Sequence, residues 1–147
     1  MSFIALTKYH PIILMDTGMI IAYYSADDKY HAQVQRFFEL CTSQAVTTVA
    51  CVTEAMHLLA DDWRVQNEFL LQVSNGIFNC EHLHHQDFSR IAELNRQYID
   101  INPDFADLAL VAISERLVIS AIATLDADFD IYRRYRKQPF ERVFRPS

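Results

Sequence analysis

Two β-rich apolar runs in this chain stop on a carboxylate. In "IILMD" residues 12–15 run into Asp16, and in "VISAIATLD" residues 118–125 run into Asp126. A carboxylate at the end of a buried strand is costly unless something pairs with it. Strands that are apolar throughout belong to a sheet covered on both faces, where parallel pairing is the rule. "QAVTTV" and "IFNCEHL" are further short strand-like runs, and "FERVF" reads as a last, short edge strand. Helical stripes separate them. "TGMIIAYYS" has Asp16 or Thr17 as its cap. "ADDKYHAQVQRFFELC" carries Tyr30, Val34, Phe37, Phe38 and Cys41 on one stripe, with Asp27 or Asp28 at its start. "ACVTEAMHLLADDW" repeats through Val52, Met56 and Leu59, and "RVQNEFLLQVSN" ends near Gly76. "HQDFSRIAELNRQYI" repeats through Phe88, Ile91, Leu94 and Tyr98, and Pro103 suits the first turn of "DFADLALVAISERL". Strands alternating with helices imply an α/β sandwich around a mainly parallel sheet. In such sheets ligands collect beyond the carboxyl ends of the strands, where Asp16 and Asp126 both fall.

The 147 residues, 51% hydrophobic, suffice for one compact domain with a real core and are too few for two. Only two glycines and four prolines argue against a linker or a turn-rich all-β chain. There is no internal repeat and no apolar run near the ~18 residues of a membrane span. The apolar stretch of "MSFIALTKYHP" is too short for a signal peptide, so a cytoplasmic protein free of the membrane is expected. Cys41, Cys51 and Cys80 are odd in number and widely spaced, which fits no disulfide or zinc pattern; small buried hydrophobes are expected. The net charge is −6, yet 6 of the 13 basic residues lie in the last 17 positions, against the single acid Glu141. A basic tail on an acidic body suits a polyanion contact beside a cation site, or else a solvated helix face.

Acids flank apolar framework in four segments. Asp16 ends the first strand, and Glu54 lies early in the helix after the second. Asp107 lies in "DFADLALVAISERL" with Asp104 on the same face, and Asp126 ends the fourth strand with Asp128 two residues on. Converging without a basic partner, these groups would repel; a divalent cation removes the conflict, and hard oxygen ligands favour Mg²⁺ or Mn²⁺. No activated Ser or Cys accompanies them, so the matching chemistry is a metal-activated water attacking a phosphodiester. Individually, a helix acid such as Glu54 can be merely solvated, and a strand-terminal Asp can be merely a helix cap.

Taken together, "MDTGMIIAYYSADDKYH", "TTVACVTEAMHLL", "YIDINPDFADLALVAISERL" and "ATLDADFDIYR" stand in one order and spacing from residue 12 to 133. In this the chain resembles PIN-domain ribonucleases of the kind found as VapC-type toxins of bacterial toxin–antitoxin pairs. The resemblance implies a single PIN-like domain over residues 1–147, a three-layer α/β sandwich with a central, mainly parallel five-stranded sheet of order 3-2-1-4-5. It implies a metal-dependent endoribonuclease in which Asp16, Glu54, Asp107 and Asp126 hold Mg²⁺ or Mn²⁺ and carry the chemistry. Asp104 matches a supporting acid and Asp128 an outer one; Thr17 and Thr124 match hydroxyls that steady the site or simply cap chain ends. Arg133, Arg134 and Arg136 would hold the RNA backbone. The implied partners are an RNA substrate, a small antitoxin and a second copy in a homodimer. Two positions depart from the pattern: Leu108 stands where Ala is usual, and Pro103 where Met is common.

Other features have plainer readings. "EHLHH" places His82, His84 and His85 at alternating strand positions, but no further ligand completes a zinc set, which leaves a surface cluster. His31 matches a packing or hydrogen-bonding histidine. Trp63, Phe69 and Leu70 suit core or an oligomer interface. Tyr23, Tyr24, Tyr30, Phe37 and Phe38 form either a partner groove or ordinary core. The rival functions are a regulatory PIN nuclease that is not a toxin, and a non-catalytic RNA-binding or interaction module on the same fold. A phosphoacceptor receiver domain would need an acid pair after the first strand and a lysine after the last, and neither is present.

Overall fold

The computed structural model describes residues 9–147, so the reading of the amino-terminal stretch falls outside the described residues. Strand β1 (Ile12–Met15) leads directly into α1 (Thr17–Tyr24) and α2 (His31–Leu40). β2 (Gln44–Thr48) is followed by α3 (Val49–Leu58) and α4 (Trp63–Ser74), and β3 (Phe78–Glu81) by α5 (His85–Gln97). After α6 (Phe105–Leu117) come β4 (Ala121–Ala123), a two-stranded ribbon of β5 (Arg133–Arg134) and β6 (Gln138–Pro139), and finally β7 (Glu141–Phe144). The main sheet has the order β3-β2-β1-β4-β7. All four of its pairings are parallel. Counting β7 as its fifth strand, this is the expected 3-2-1-4-5 arrangement. Among the described residues, no helix is long and apolar enough to cross a membrane.

Burial explains the order. β1 is central, and its Ile13, Leu14 and Met15 are fully buried, as are Ile122 and Ala123 of the neighbouring β4. Helices cover the sheet, and α6 is apolar nearly all round because its residues from Leu108 to Ser114 are buried. The aromatic surplus of the first two helices is core. Tyr24 is buried against Phe69, Tyr23 packs on Phe38, and Phe37 meets Phe144 edge-on. Of the three residues suited to core or interface, Phe69 is buried while Trp63 and Leu70 are exposed.

Several boundaries depart from the sequence pattern for local reasons. β4 covers three residues of "VISAIATL" because Val118 adopts a left-handed conformation to cap α6. Pro103 precedes the cap Asp104 and so lies just outside the first turn of α6. Helix α2 begins at His31; Asp28 accepts the Tyr30 amide at 2.8 Å one step earlier. β3 ends at Glu81, so His82, His84 and His85 occupy a loop and the start of α5 and share no strand face. Of the cysteines only Cys51 is buried; Cys41 and Cys80 are half-buried, and all three are free. The carboxyl-terminal basic run forms the β5–β6 ribbon with Arg136 and Lys137 at positive φ, so it is not a long helix face.

Helix α6 carries two of the acids and is fastened to α5 by two ion pairs. Arg90 grips Glu115 through two bonds of 2.8 Å. Arg116 lies 3.2 Å from both oxygens of the buried Asp87 and also donates to the His82 carbonyl. Asp87 in turn accepts the His84 amide at 2.8 Å, so one carboxylate caps α5 and anchors α6. Asp87→Ala therefore costs roughly 2–3 kcal/mol, seen as a lower urea midpoint at unchanged slope. The double change Asp87→Leu with Arg116→Met recovers only part of it, because the cap remains lost.

Candidate active site at the carboxyl edge of the sheet

Asp16 leaves β1 and caps α1. It is 4% exposed, accepts the Met19 amide through Oδ1 at 3.2 Å, and accepts the Thr124 hydroxyl through Oδ2. Thr124, just beyond β4, also receives the Asp126 amide on its hydroxyl oxygen at 2.9 Å. Asp126 caps a short 3-10 turn, Ala127–Asp130, by accepting the Asp128 amide at 2.8 Å. Thr124 thus joins the ends of two adjacent parallel strands and fixes both acids. Glu54 comes from α3, which Thr48 caps through the Cys51 amide. Asp107 sits in the first turn of α6, whose cap residue Asp104 makes no side-chain cap bond and keeps its carboxylate available.

Asp16, Glu54, Asp104, Asp107 and Asp126 all line one cavity of about 480 Å³, together with Thr17, Asp28, Tyr30 and Leu125. The structure thus places these five acids around one cavity. Asp128 is not among the lining residues and serves Asp126 through its backbone amide. Nothing in the sequence pattern points to Asp28 and Tyr30 as site residues. They lie between α1 and α2, Tyr30 as the cap residue of α2, and that segment lines the same cavity.

The electrostatics record the crowding. Burial, followed by the charges of Asp16, Asp126, Asp104 and Glu54, pushes the Asp107 carboxyl up to about 8. Asp16 is pushed up to about 6 by burial, against the Thr124 and Met19 hydrogen bonds that favour its ionised form. The Tyr132 hydroxyl is buried without a partner, and burial plus the charges of Asp107, Asp128, Asp126 and Asp104 holds its proton firmly. Thr17 Oγ1 is likewise buried and unpartnered in the cavity wall.

An all-oxygen, multiply acidic donor set with an unpaired hydroxyl beside it fits a hard divalent cation. Among the described residues, no three His, Cys, Asp or Glu side chains are already gathered tightly enough to hold an ion. Asp16, Glu54, Asp107 and Asp126 are the residues that would close on one.

Several of the basic residues are engaged with the chain itself. Arg133 donates to the carbonyls of Asp130, Ile131 and Tyr132, and half-buried Arg134 faces the Ser114 carbonyl and the Phe140 ring. Arg136 is exposed and lies over Tyr135. Arg145 and Arg142 both bind Asp130. Arg142 has no distinguishing mark in the sequence, yet its charge reaches Asp16 and its guanidinium binds the Thr124 carbonyl. Its role follows only from the pairing of β7 beside β4. His31 bonds the Ala22 carbonyl at 2.7 Å, a structural contact as expected.

A family model described as the PIN domain matches residues 13–135. VapC20 of Mycobacterium tuberculosis, described as a Sarcin-Ricin loop cleaving toxin, shares the fold with a TM-score of 0.75 at 18% identity, covering 81% of this chain and 93% of its own. A toxin–antitoxin complex from Klebsiella pneumoniae is similar at a TM-score of 0.62 and 18% identity, covering 80% of this chain and 89% of the other. Among curated proteins none matches.

The raised carboxyls make stability depend on pH with a definite sign. Asp107 titrates near its ordinary 3.8 when unfolded and at about 8 when folded. Stability is therefore fully present below about pH 4 and is lost as pH rises through 8, the folded state holding the extra proton. Asp16 adds to the same slope up to about pH 6. Melting in EDTA will show Asp107→Asn above the parent at pH 8 by roughly 1–2 kcal/mol, ~3–8 °C, with the two converging at pH 4. Parent and variant melting alike at pH 8 would show that the acids do not crowd one another.

Proposed function

The chain belongs to the PIN domain family, and on that premise we propose that it is a metal-dependent endoribonuclease acting as the toxin of a toxin–antitoxin pair. The carrying observation is the acid cluster lining one cavity, in which burial first and then four neighbouring carboxylates push the Asp107 carboxyl up to about 8. Such a cluster destabilises the fold unless a cation of high charge relieves it. The likeness to VapC20, described as a toxin, and to a toxin–antitoxin complex supports the biological setting.

Asp16, Glu54, Asp107 and Asp126 would hold Mg²⁺ or Mn²⁺, with Asp104 in support. When bound, the cation supplies acidification of a water and a counter-charge for the phosphate. The chain's own residues do the rest. Thr124 and the Met19 amide hold Asp16 in one orientation with its remaining lone pairs free for the cavity. Asp107 would hold the cation only in its deprotonated form, so affinity would fall at low pH. Arg136 and Lys137, exposed at the tip of the ribbon, are the freest of the tail's cations to meet RNA phosphates. Arg133 and Arg134 shape that ribbon from within. A small antitoxin would cover exposed apolar residues such as Trp63, Leu70 and Leu71 on α4. A homodimer and a cytoplasmic location belong to the same proposal.

Incubating the protein with tRNAs, ribosomal RNA fragments and unstructured oligomers, each with Mg²⁺, Mn²⁺ or EDTA, tests this reading. Cleavage that needs the metal and falls at least ~10²-fold in Asp16→Asn and Glu54→Gln is expected. Asp16→Asn cutting as fast as the parent would remove the acids from catalysis. A folded, metal-binding parent that cuts nothing would leave a binding module.

A further inference from the structure

Arg142 sits on the edge strand β7, opposite Ile122 of β4, where the pairing register shifts between Ile122 and Ala123. Its side chain is only 4% exposed, an unusual burial for a guanidinium. One arm, Nη2, donates to the Thr124 carbonyl at 3.0 Å, and the other, Nη1, donates to Asp130 Oδ2 at 3.0 Å. These two acceptors bracket the segment that carries Asp126. Asp130 is pinned from a second side by Arg145, through contacts of 2.9 and 3.2 Å. The same Thr124 gives its hydroxyl to Asp16 and receives the Asp126 amide on it. So the residue that orients both acids is itself held, by its carbonyl, from Arg142.

We propose that Arg142 is the positioning residue of the carboxylate site, a two-armed clamp that fixes Thr124 and through it the relative placement of Asp16 and Asp126. The inference rests on the reading of that site as a divalent-cation site. Its physical basis is that a bifurcate planar donor can hold two acceptors at a set separation, which a single ammonium cannot do. Groups that orient metal ligands without touching the ion govern affinity nearly as strongly as the ligands. A simple counter-charge would act oppositely, because a cation beside the acids repels an incoming metal ion.

Three variants separate these roles: Arg142→Gln, Arg142→Lys and Asp130→Asn. Mn²⁺ alone is titrated by calorimetry, and amide hydrogen exchange at Asp126 is followed in metal-free protein. Arg142→Gln is expected to bind Mn²⁺ about tenfold more weakly, with faster exchange at the Asp126 amide. RNA cleavage should show kcat falling while KM holds. Arg142→Lys keeps the charge but stays impaired, and Asp130→Asn shifts all readouts in the same direction by less. Arg142→Gln binding Mn²⁺ as tightly as the parent or tighter would overturn the clamp, as would Arg142→Lys matching the parent in every readout. If Arg142→Gln does not fold, Asp130→Asn with parental Mn²⁺ affinity and parental exchange overturns it. A parent that binds no Mn²⁺ defeats the reading of the site itself; a parent that binds, with variants that match it, defeats the clamp alone.

Discussion

One hydroxyl holds the working edge of this protein together. Thr124 joins the end of β1 to the end of β4 by donating to Asp16 and accepting from the Asp126 amide. Parallel neighbours are linked by ladder bonds only as far as the strands run, and β4 ends at Ala123. Beyond that point two carboxylates would repel each other apart. The hydroxyl replaces the next rung, and because Thr124 is fully buried its bonds are not shared with water. The chain beyond Thr124 depends on that anchor: the turn capped by Asp126, the seat of Phe129 in the core, and the return of the backbone to β7.

The candidate site crowds like charges at a cost in stability. Six carboxylates line one cavity, and two of them, Asp16 and Asp107, are pushed well above their ordinary range. Compensation lies in the scaffold behind. Helix α6, which brings Asp104 and Asp107, has an almost wholly buried body and is held to α5 by the Arg90–Glu115 and Arg116–Asp87 pairs. Leu108, where a smaller residue is usual in the family pattern, is 1% exposed and adjoins Asp107 in the chain. A rigid helix with a large apolar anchor can present a carboxylate to like charges without being displaced.

The sequence exposes the parts of the fold that follow from period and polarity. Continuous apolar runs mark the strands, the 3.6-residue stripes mark the helices, and acids at strand ends mark the functional edge. Asp16, Glu54, Asp104, Asp107 and Asp126 are legible because each belongs to an element whose direction is set locally. The illegible parts depend on long-range placement. The left-handed Val118 shortens β4, though nothing in a β-branched residue announces positive φ. The histidines of "EHLHH" alternate in the sequence, but β3 ends before them because the β2 pairing stops at Glu81. Asp28 enters the cavity through a loop whose path depends on where α2 packs. Arg142 is one arginine among several in the tail, and only the β4–β7 pairing distinguishes it.

The tail's composition suggests cations reaching outward to a polyanion, and its structure engages four of the six in contacts with the chain itself. Arg133 and Arg134 face backbone carbonyls, and Arg142 and Arg145 share Asp130. The chain carries a net charge of −6, and six carboxylates line its cavity. A polyanion would approach an acidic cleft only if something else neutralised that cleft first. A divalent cation among the carboxylates would do so, and the exposed pair Arg136 and Lys137 would act at a distance, as a tether for the strand. Metal occupancy and RNA binding would then be coupled, the first being a condition of the second.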